Sequence, residues 1–274
     1  MNFEVRPQNW TAGRLPALFV SHGSPTLAVE QNETVEFLKR LGGELGKPAA
    51  ILCISAHWGT SSPSVSAAAK PETIHDFGGF AEELYRMRYA APGAPLLAGR
   101  VRELLTGAGL ACTVSPERGL DHGAWVPLKL IYPEADVPVT QLSVQPALGP
   151  EHHYRLGRAL APLREEGVLI LATGSATHNL SLIGRGSEPP VWAKEFDEWL
   201  FNKISAGAVD ELLDYSRLAP HASVAHPTDE HLLPLFVALG AGADSGGRAL
   251  GHTLHRGWTW GSLSMAAYRF DSGL

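Results

Sequence analysis

Cysteine is scarce in this chain: Cys53 and Cys112 are the only two among 274 residues. Both fall in apolar runs. They predict buried free thiols and exclude a disulfide framework. No apolar run approaches the roughly 20 residues needed to span a bilayer. The first residues, MNFEVRPQNWTAGRLP, lack the apolar centre of a secretory signal. Basic residues form no stripe; the net charge is −6 with both signs interspersed, which argues against a nucleic-acid partner. There is no HExxH, no CxxC pair, no internal repeat, no low-complexity tract and no credible linker. These absences predict a cytoplasmic protein with no membrane partner, folded as one domain over residues 1–274.

What the chain does have is an ordinary globular core composition, 45% hydrophobic. Short β-prone apolar runs occur at 16–21, 49–56, 110–115, 138–144 and 167–173. Helical patterning occupies 34–45, 94–109, 149–167, 190–207 and 229–242. Strands that alternate with helices predict an α/β fold with a central, mostly parallel sheet covered on both faces. The aromatic stretch GHTLHRGWTWGSLSMAAYRF (251–270) predicts antiparallel strands closing one edge. Residues 59–93 are weakly periodic, the pattern of a functional loop.

Histidine is abundant: twelve in all, about twice the expectation for this length. His22 follows the first apolar run in LFVSHGSP. His57 follows the second in ILCISAHWG. His178 follows the fifth in LILATGSATHN. Ligands of open α/β sheets bind at the carboxyl ends of the strands, so these imidazoles are placed to share one crevice. Gly23, Gly59 and Gly174 lie close by and permit tight turns or close approach. HPTDEHLLPLF (226–236) adds His231 at an expected helix start, with Thr228 as its cap and Asp229 and Glu230 in its first turn. RGLDHGAWVPLKL (118–130) adds His122. Imidazole suits Zn, Fe, Cu and Ni, and two histidines with a carboxylate suit non-haem Fe(II). A catalytic site keeps a coordination position open.

Other positions have plainer readings. His152, His153, His252 and His255 read as surface residues. His221 reads as a loop residue, and His226 as a pocket or turn residue. Trp58 and Trp125 read as core. Asp121 reads as a structural cap or as a carboxylate that orients a histidine.

At these same residues the chain resembles the class III, LigB-type extradiol ring-cleavage dioxygenases, and more closely their DOPA-4,5-dioxygenase-type branch. The resemblance rests on PALFVSHGSP, ISAHWGT, TIHDFGGFAEELYRMRYAAPGAP, RGLDHGAWVPLKLIYPEADVPVTQLSVQ, LATGSATHNL, HPTDEHLLPLF and GSLSMAAYRF, in that order from position 16 to 270. It implies a divalent metal held by His22, His57 and His231. His178 would be either a further metal ligand or the acid/base residue. His122 would contact substrate and oxygen. More distant members use a glutamate as third ligand, which leaves Glu230 as the alternative to its neighbour His231. Ring cleavage implies Fe(II), and Zn(II) is the metal expected in isolated protein of this branch.

The implied reaction inserts O2 into a catechol ring beside the diol, on a 4,5-DOPA-like or related catechol acid. The partners are that small molecule and O2, and the protein is a monomer or small homo-oligomer. Histidine titrates near neutrality, so His178 can take a catechol proton and return it, with His122 stabilising developing charge. The loop IHDFGGFAEELYRMRY is either a packed connection with a short helix or a lid. In the second case His75, Asp76 and Phe77 would lie at the pocket mouth, and Tyr85, Arg86 and Arg88 would read a carboxylate. Two other functions use the same residues: a zinc-dependent hydrolase with the same histidine cluster, and a non-catalytic interaction module.

Overall fold

The computed structural model describes residues 14–184 and 188–271. The N-terminal stretch 1–13, expected to lack a signal-peptide core, lies outside the described residues. Among the described residues ten strands run in chain order: β1 Ala17–Ser21, β2 Ala50–Gly59, β3 Ser64–Ser66, β4 Thr113–Ser115, β5 Val139–Val144, β6 Val168–Gly174, β7 Gly251–His255, β8 Trp258–Thr259, β9 Leu263–Ser264 and β10 Ala267–Phe270. The helices are α1 Glu33–Leu45, α2 Glu82–Arg86, α3 Pro95–Gly107, α4 His122–Ile131, α5 Gly149–Leu160, α6 Val191–Ala206, α7 Val209–Leu213, α8 Tyr215–Leu218, α9 Ala222–Ala225 and α10 Leu233–Gly242.

Eight strands form one mixed sheet in the order β4-β3-β5-β2-β6-β1-β10-β7, and β8 pairs with β9 separately. The centre, β5-β2-β6-β1, is parallel. On one side β10 and β7 add antiparallel strands, as the C-terminal pattern predicts. On the other, β3 is antiparallel to β5.

Alternation along each central strand feeds two cores, which is why these runs are continuously apolar. Phe19, Leu52, Ile54, Leu142, Ile170 and Ala172 face a cluster with residues of α3, α5, α6 and α10. Leu18, Val20, Ile51, Cys53, Leu169 and Leu171 face another with residues of α1 and α4. Each such aliphatic side chain stabilises the fold by about 1.5–3 kcal/mol on burial.

Several details differ from the sequence expectations. Helix α4 has no counterpart there: nine of its ten residues are buried, so it lacks a polar face, and it contains Pro127. The helix expected from 229 begins at Leu233; Thr228 Oγ1 donates to Glu230 Oε1 instead of capping it. Cys53 is buried, but Cys112 is only half-buried beside the short, exposed β4; both are free. Residues 59–93 contain β3 and α2, so the segment is not wholly irregular.

Candidate metal centre and active site

His22 leaves β1 at its carboxyl end. Its backbone N–H donates to Gly174 O at 3.0 Å, extending the β1–β6 pairing by one residue. His57 lies inside β2, on an irregular stretch. Ile54 pairs with Leu142 and Gly59 with Val144, so β2 uses five steps where β5 uses two. Such a bulge re-aims side chains at a sheet rim. His231 sits on the turn before α10, with its carbonyl accepting the Ser175 N–H at 2.9 Å.

Two glycines make this convergence possible. A Cβ at Gly174 would lie 2.0 Å from His231 O, so the turn docks on the end of β6 only over a bare backbone. A Cβ at Gly123, in the first turn of α4, would lie 2.4 Å from Ser55 Oγ and 2.8 Å from His57 Cδ2. Gly23 has φ +62, a true turn glycine, whereas Gly59 makes only ordinary contacts.

The three rings present Nε2 atoms to one another. His57 Nε2 lies 3.0 Å from His22 Nε2 and 3.3 Å from His231 Nε2. His22 and His231 are buried and His57 is half-buried. Burial, then the neighbouring histidines, holds His22 and His231 well below the usual imidazole value. Burial and then His122 bring His57 to about 4, against the pull of Asp121 and Asp76. All three are therefore neutral near pH 7, the state a metal ligand needs. The spacing fits one ion: ligand nitrogens about 2.1 Å from a metal and 3.0–3.3 Å apart subtend roughly 90–105° at it. Glu230 Oε1 lies 2.9 Å from His231 Nδ1, which leaves Nε2 to face the cluster.

His178 stands outside this trio and groups with Glu230 and His231 instead. Its ring stacks on His231 with centroids 3.4 Å apart and planes 10° apart. Burial lowers its pKa, opposed by Glu230 and reinforced by His122. His122 comes from the first turn of α4, its ring centroid 4.0 Å from that of His57.

Asp121 is fully buried and caps α4 through the Ala124 N–H. It also accepts from Ser55 Oγ at 2.6 Å, and that oxygen accepts the His57 N–H at 3.2 Å. It thus reaches His57 through the backbone. Asp76 is the carboxylate beside the rings. Its oxygens lie 3.4 Å from His57 Nδ1 and 3.0 Å from His122 Nδ1, and it accepts the His122 backbone N–H at 2.9 Å. Burial pushes Asp76 up, but the contacts with His122 and His57 outweigh it and bring the carboxyl to about 2.

All five histidines line a cavity of about 370 Å³. Phe77, Phe80, Leu180, Ile183, Trp260 and Leu263 give it an apolar wall. Asp76 and Phe77 reach this cavity, as a loop over its mouth predicts. Tyr85, Arg86, Arg88 and His75 do not. Arg86 pairs with Glu82, Arg88 binds the carbonyls of Tyr85 and Met87, and His75 lies 3.0 Å from Met87 O.

Several plainer readings need correction. His153 is fully buried, not a surface residue: Gly149 O and the Gln145 N–H hold its two ring nitrogens. His255 is half-buried, 2.9 Å from Thr34 Oγ1 and stacked on Phe37. His226 is buried against Ala176 O, outside the cavity wall. His221 and His252 are exposed, and Trp125 is core. Trp58 is covered by the Arg118 guanidinium.

Fold and site together define a class: an α/β enzyme scaffold with a histidine cluster that could hold a metal in an open pocket at the carboxyl edge of its sheet. Residues 16–270 match the family described as the catalytic LigB subunit of aromatic ring-opening dioxygenase. The chain belongs to that family and is an extradiol dioxygenase of the LigB type. A 4,5-DOPA dioxygenase extradiol of Beta vulgaris is 45% identical over 263 residues, covering 93% of this chain and 96% of the relative. Its namesake in Escherichia coli (strain K12) is 42% identical over 236 residues, covering 83% and 85%. A crystal structure of an uncharacterized Escherichia coli K12 protein superposes with a TM-score of 0.80 at 36% identity, covering 93% of this chain and 99% of the other.

Proposed function

We propose that this protein opens a catechol ring beside its diol, using Fe(II) held by His22, His57 and His231. The observation that carries the reading is the convergence of three neutral imidazoles on a cavity of about 370 Å³, with His57 Nε2 3.0 Å from His22 Nε2 and 3.3 Å from His231 Nε2. Fe(II) in this position supplies the redox link between catechol and O2 that redox-inert zinc lacks. Zinc is the ion expected to occupy the same nitrogens in isolated protein.

The chain's own groups do the rest. A ring nitrogen of His178 accepts the catechol hydroxyl proton and returns it to oxygen as the ring opens. Among the described residues no hydrogen bond occupies that ring, so it is free for substrate. His122 faces the same space and stabilises negative charge that develops on oxygen. Phe77, Phe80 and Trp260 give the substrate ring an apolar wall to pack against. The names of the Beta vulgaris and Escherichia coli relatives support L-DOPA as the first substrate to offer. The unpaired Cys53 and Cys112 fit a reducing, cytoplasmic setting. No described helix is long and apolar enough to cross a membrane.

The test is oxygen uptake by metal-stripped protein reloaded anaerobically with Fe(II) or with Zn(II), then offered a panel of catechols. Uptake with iron alone, with growth of a visible yellow semialdehyde, is the expected result. Stoichiometric metal binding without uptake on any catechol would replace ring cleavage by zinc-dependent hydrolysis.

A further inference from the structure

The structure assigns Asp76 a role of its own: we infer that this loop carboxylate is a positioning residue, bracing a metal ligand (His57) and the oxygen-side histidine (His122) at once. The inference rests on the metal site proposed above and concerns what holds that site in shape.

The carboxylate is shared between two rings from different elements. One oxygen lies 3.4 Å from His57 Nδ1, on β2; the other lies 3.0 Å from His122 Nδ1, on α4. Both ring contacts have ion-pair distance without hydrogen-bond geometry, and the well-formed bond to the carboxylate is from the His122 backbone N–H, at 2.9 Å. Asp76 therefore fixes where α4 begins as well as which edge of each ring faces away from the cavity. With Nδ1 turned to a carboxylate, His57 presents its Nε2 lone pair to the ion.

A brace must itself be rigid, and the strand-like segment before Asp76 is tied down. Ile74 N–H donates to Leu120 O at 2.8 Å, and Leu120 N–H donates to Glu72 O at 2.8 Å. The Trp125 indole N–H donates to Ile74 O at 3.0 Å from inside the core. A Cβ at Gly119 would lie 2.3 Å from Glu72 O, so the segment lies directly against bare backbone there. Residues 72–76 are thus anchored to the approach and first turn of α4 before any ligand arrives. Preorganisation of this kind keeps a site from loosening by the ångström that costs function.

The experiment compares full-length wild type with Asp76→Asn and Asp76→Glu, titrating the metal-stripped proteins anaerobically with Fe(II) and with Zn(II). The expected result is one metal per chain throughout, with affinity about 10–100-fold weaker in Asp76→Asn and partly recovered in Asp76→Glu. In the iron-loaded proteins at saturating metal, the expected result is a fall in kcat with little change in KM for the catechol, because the carboxylate acts through the two histidines. If Asp76→Asn fails to fold by circular dichroism, Trp125→Phe serves instead: it deletes the donor to Ile74 O, keeps the carboxylate, and should still weaken metal binding several-fold. Unchanged metal affinity in a folded variant overturns the inference and leaves ring cleavage standing. A second metal per wild-type chain, lost in Asp76→Asn, also overturns it and makes His57, Asp76 and His122 ligands of their own ion. Weakened metal binding in a protein that turns over no catechol upholds Asp76 and sinks the dioxygenase reading.

Discussion

Two sets of buried histidines occupy this molecule, and they differ in what their nitrogens meet. His153 is as deeply buried as His22, and burial brings His153 to about 4, as it does His57. Yet backbone groups hold both ring nitrogens of His153, Gly149 O at 2.6 Å and the Gln145 N–H at 3.0 Å. In the other set, three Nε2 atoms face one another at the end of the parallel strands, and His22 Nδ1 has no hydrogen-bond partner. Burial with satisfied nitrogens is structure. Burial with imidazoles that converge on one another instead of on backbone groups is what the proposed metal site rests on, because desolvated lone pairs cost free energy until something coordinates them.

The sharpest way to break the comparison is to remove one converging ring. His57→Ala should weaken metal binding by more than the roughly 100-fold that the loss of a supporting residue costs, and abolish turnover. Its metal-free form should keep the wild-type fold, read by metal titration and circular dichroism. His178→Ala comes next. It should lower kcat about 10²–10⁴-fold at unchanged metal content, the range of a lost acid/base group. Metal loss in that variant would make His178 a ligand.

The satisfied set should respond in stability instead. His153→Leu leaves the Gln145 N–H without its acceptor and should cost about 1–3 kcal/mol in urea unfolding, with metal affinity intact. The pH dependence has a definite sign. His153 titrates at about 4 in the folded protein against an ordinary 6.5. As pH falls below 6.5 the unfolded chain takes up a proton that the folded chain refuses. Its contribution is therefore full above 6.5, declines towards 4 and levels off below. The leucine variant should lose about one proton's worth of that slope in metal-free protein unfolded at several pH values. The smallest effect belongs to the pocket rim. Trp260 lines the cavity with φ +51, a strained angle for so large a residue. Trp260→Gly should relieve about 1 kcal/mol of backbone strain, raising the melting temperature while raising KM for substituted catechols more than for catechol itself.

Much of this was legible in order. The continuous apolar runs marked β1, β2, β5 and β6 because strands covered on both faces need no polar alternation. His22, His57 and His178 stood just past such runs, and the motifs around them carried the family. The start of α4 was not legible. Its residues are buried on all sides, so no period of 3.6 shows, and Pro127 argues against a helix. The burial of His153 is hidden for a related reason: a histidine near the start of an amphipathic helix has the same local sequence whether it faces water or the end of β5.

The sequence by itself determined the sheet's central strands, the two-sided core, and the chemical inventory of five cavity histidines. Those properties depend on residue type and on spacing within one element. Only the tertiary structure decided which nitrogens meet, that Asp76 rather than Asp121 stands beside the rings, and that Arg86 and Arg88 turn away from the pocket. Each depends on an approach within about 3 Å, a hydrogen-bond distance, between residues remote in the chain. Bare backbone at Gly123 and Gly174 permits that approach, and local pattern does not encode it.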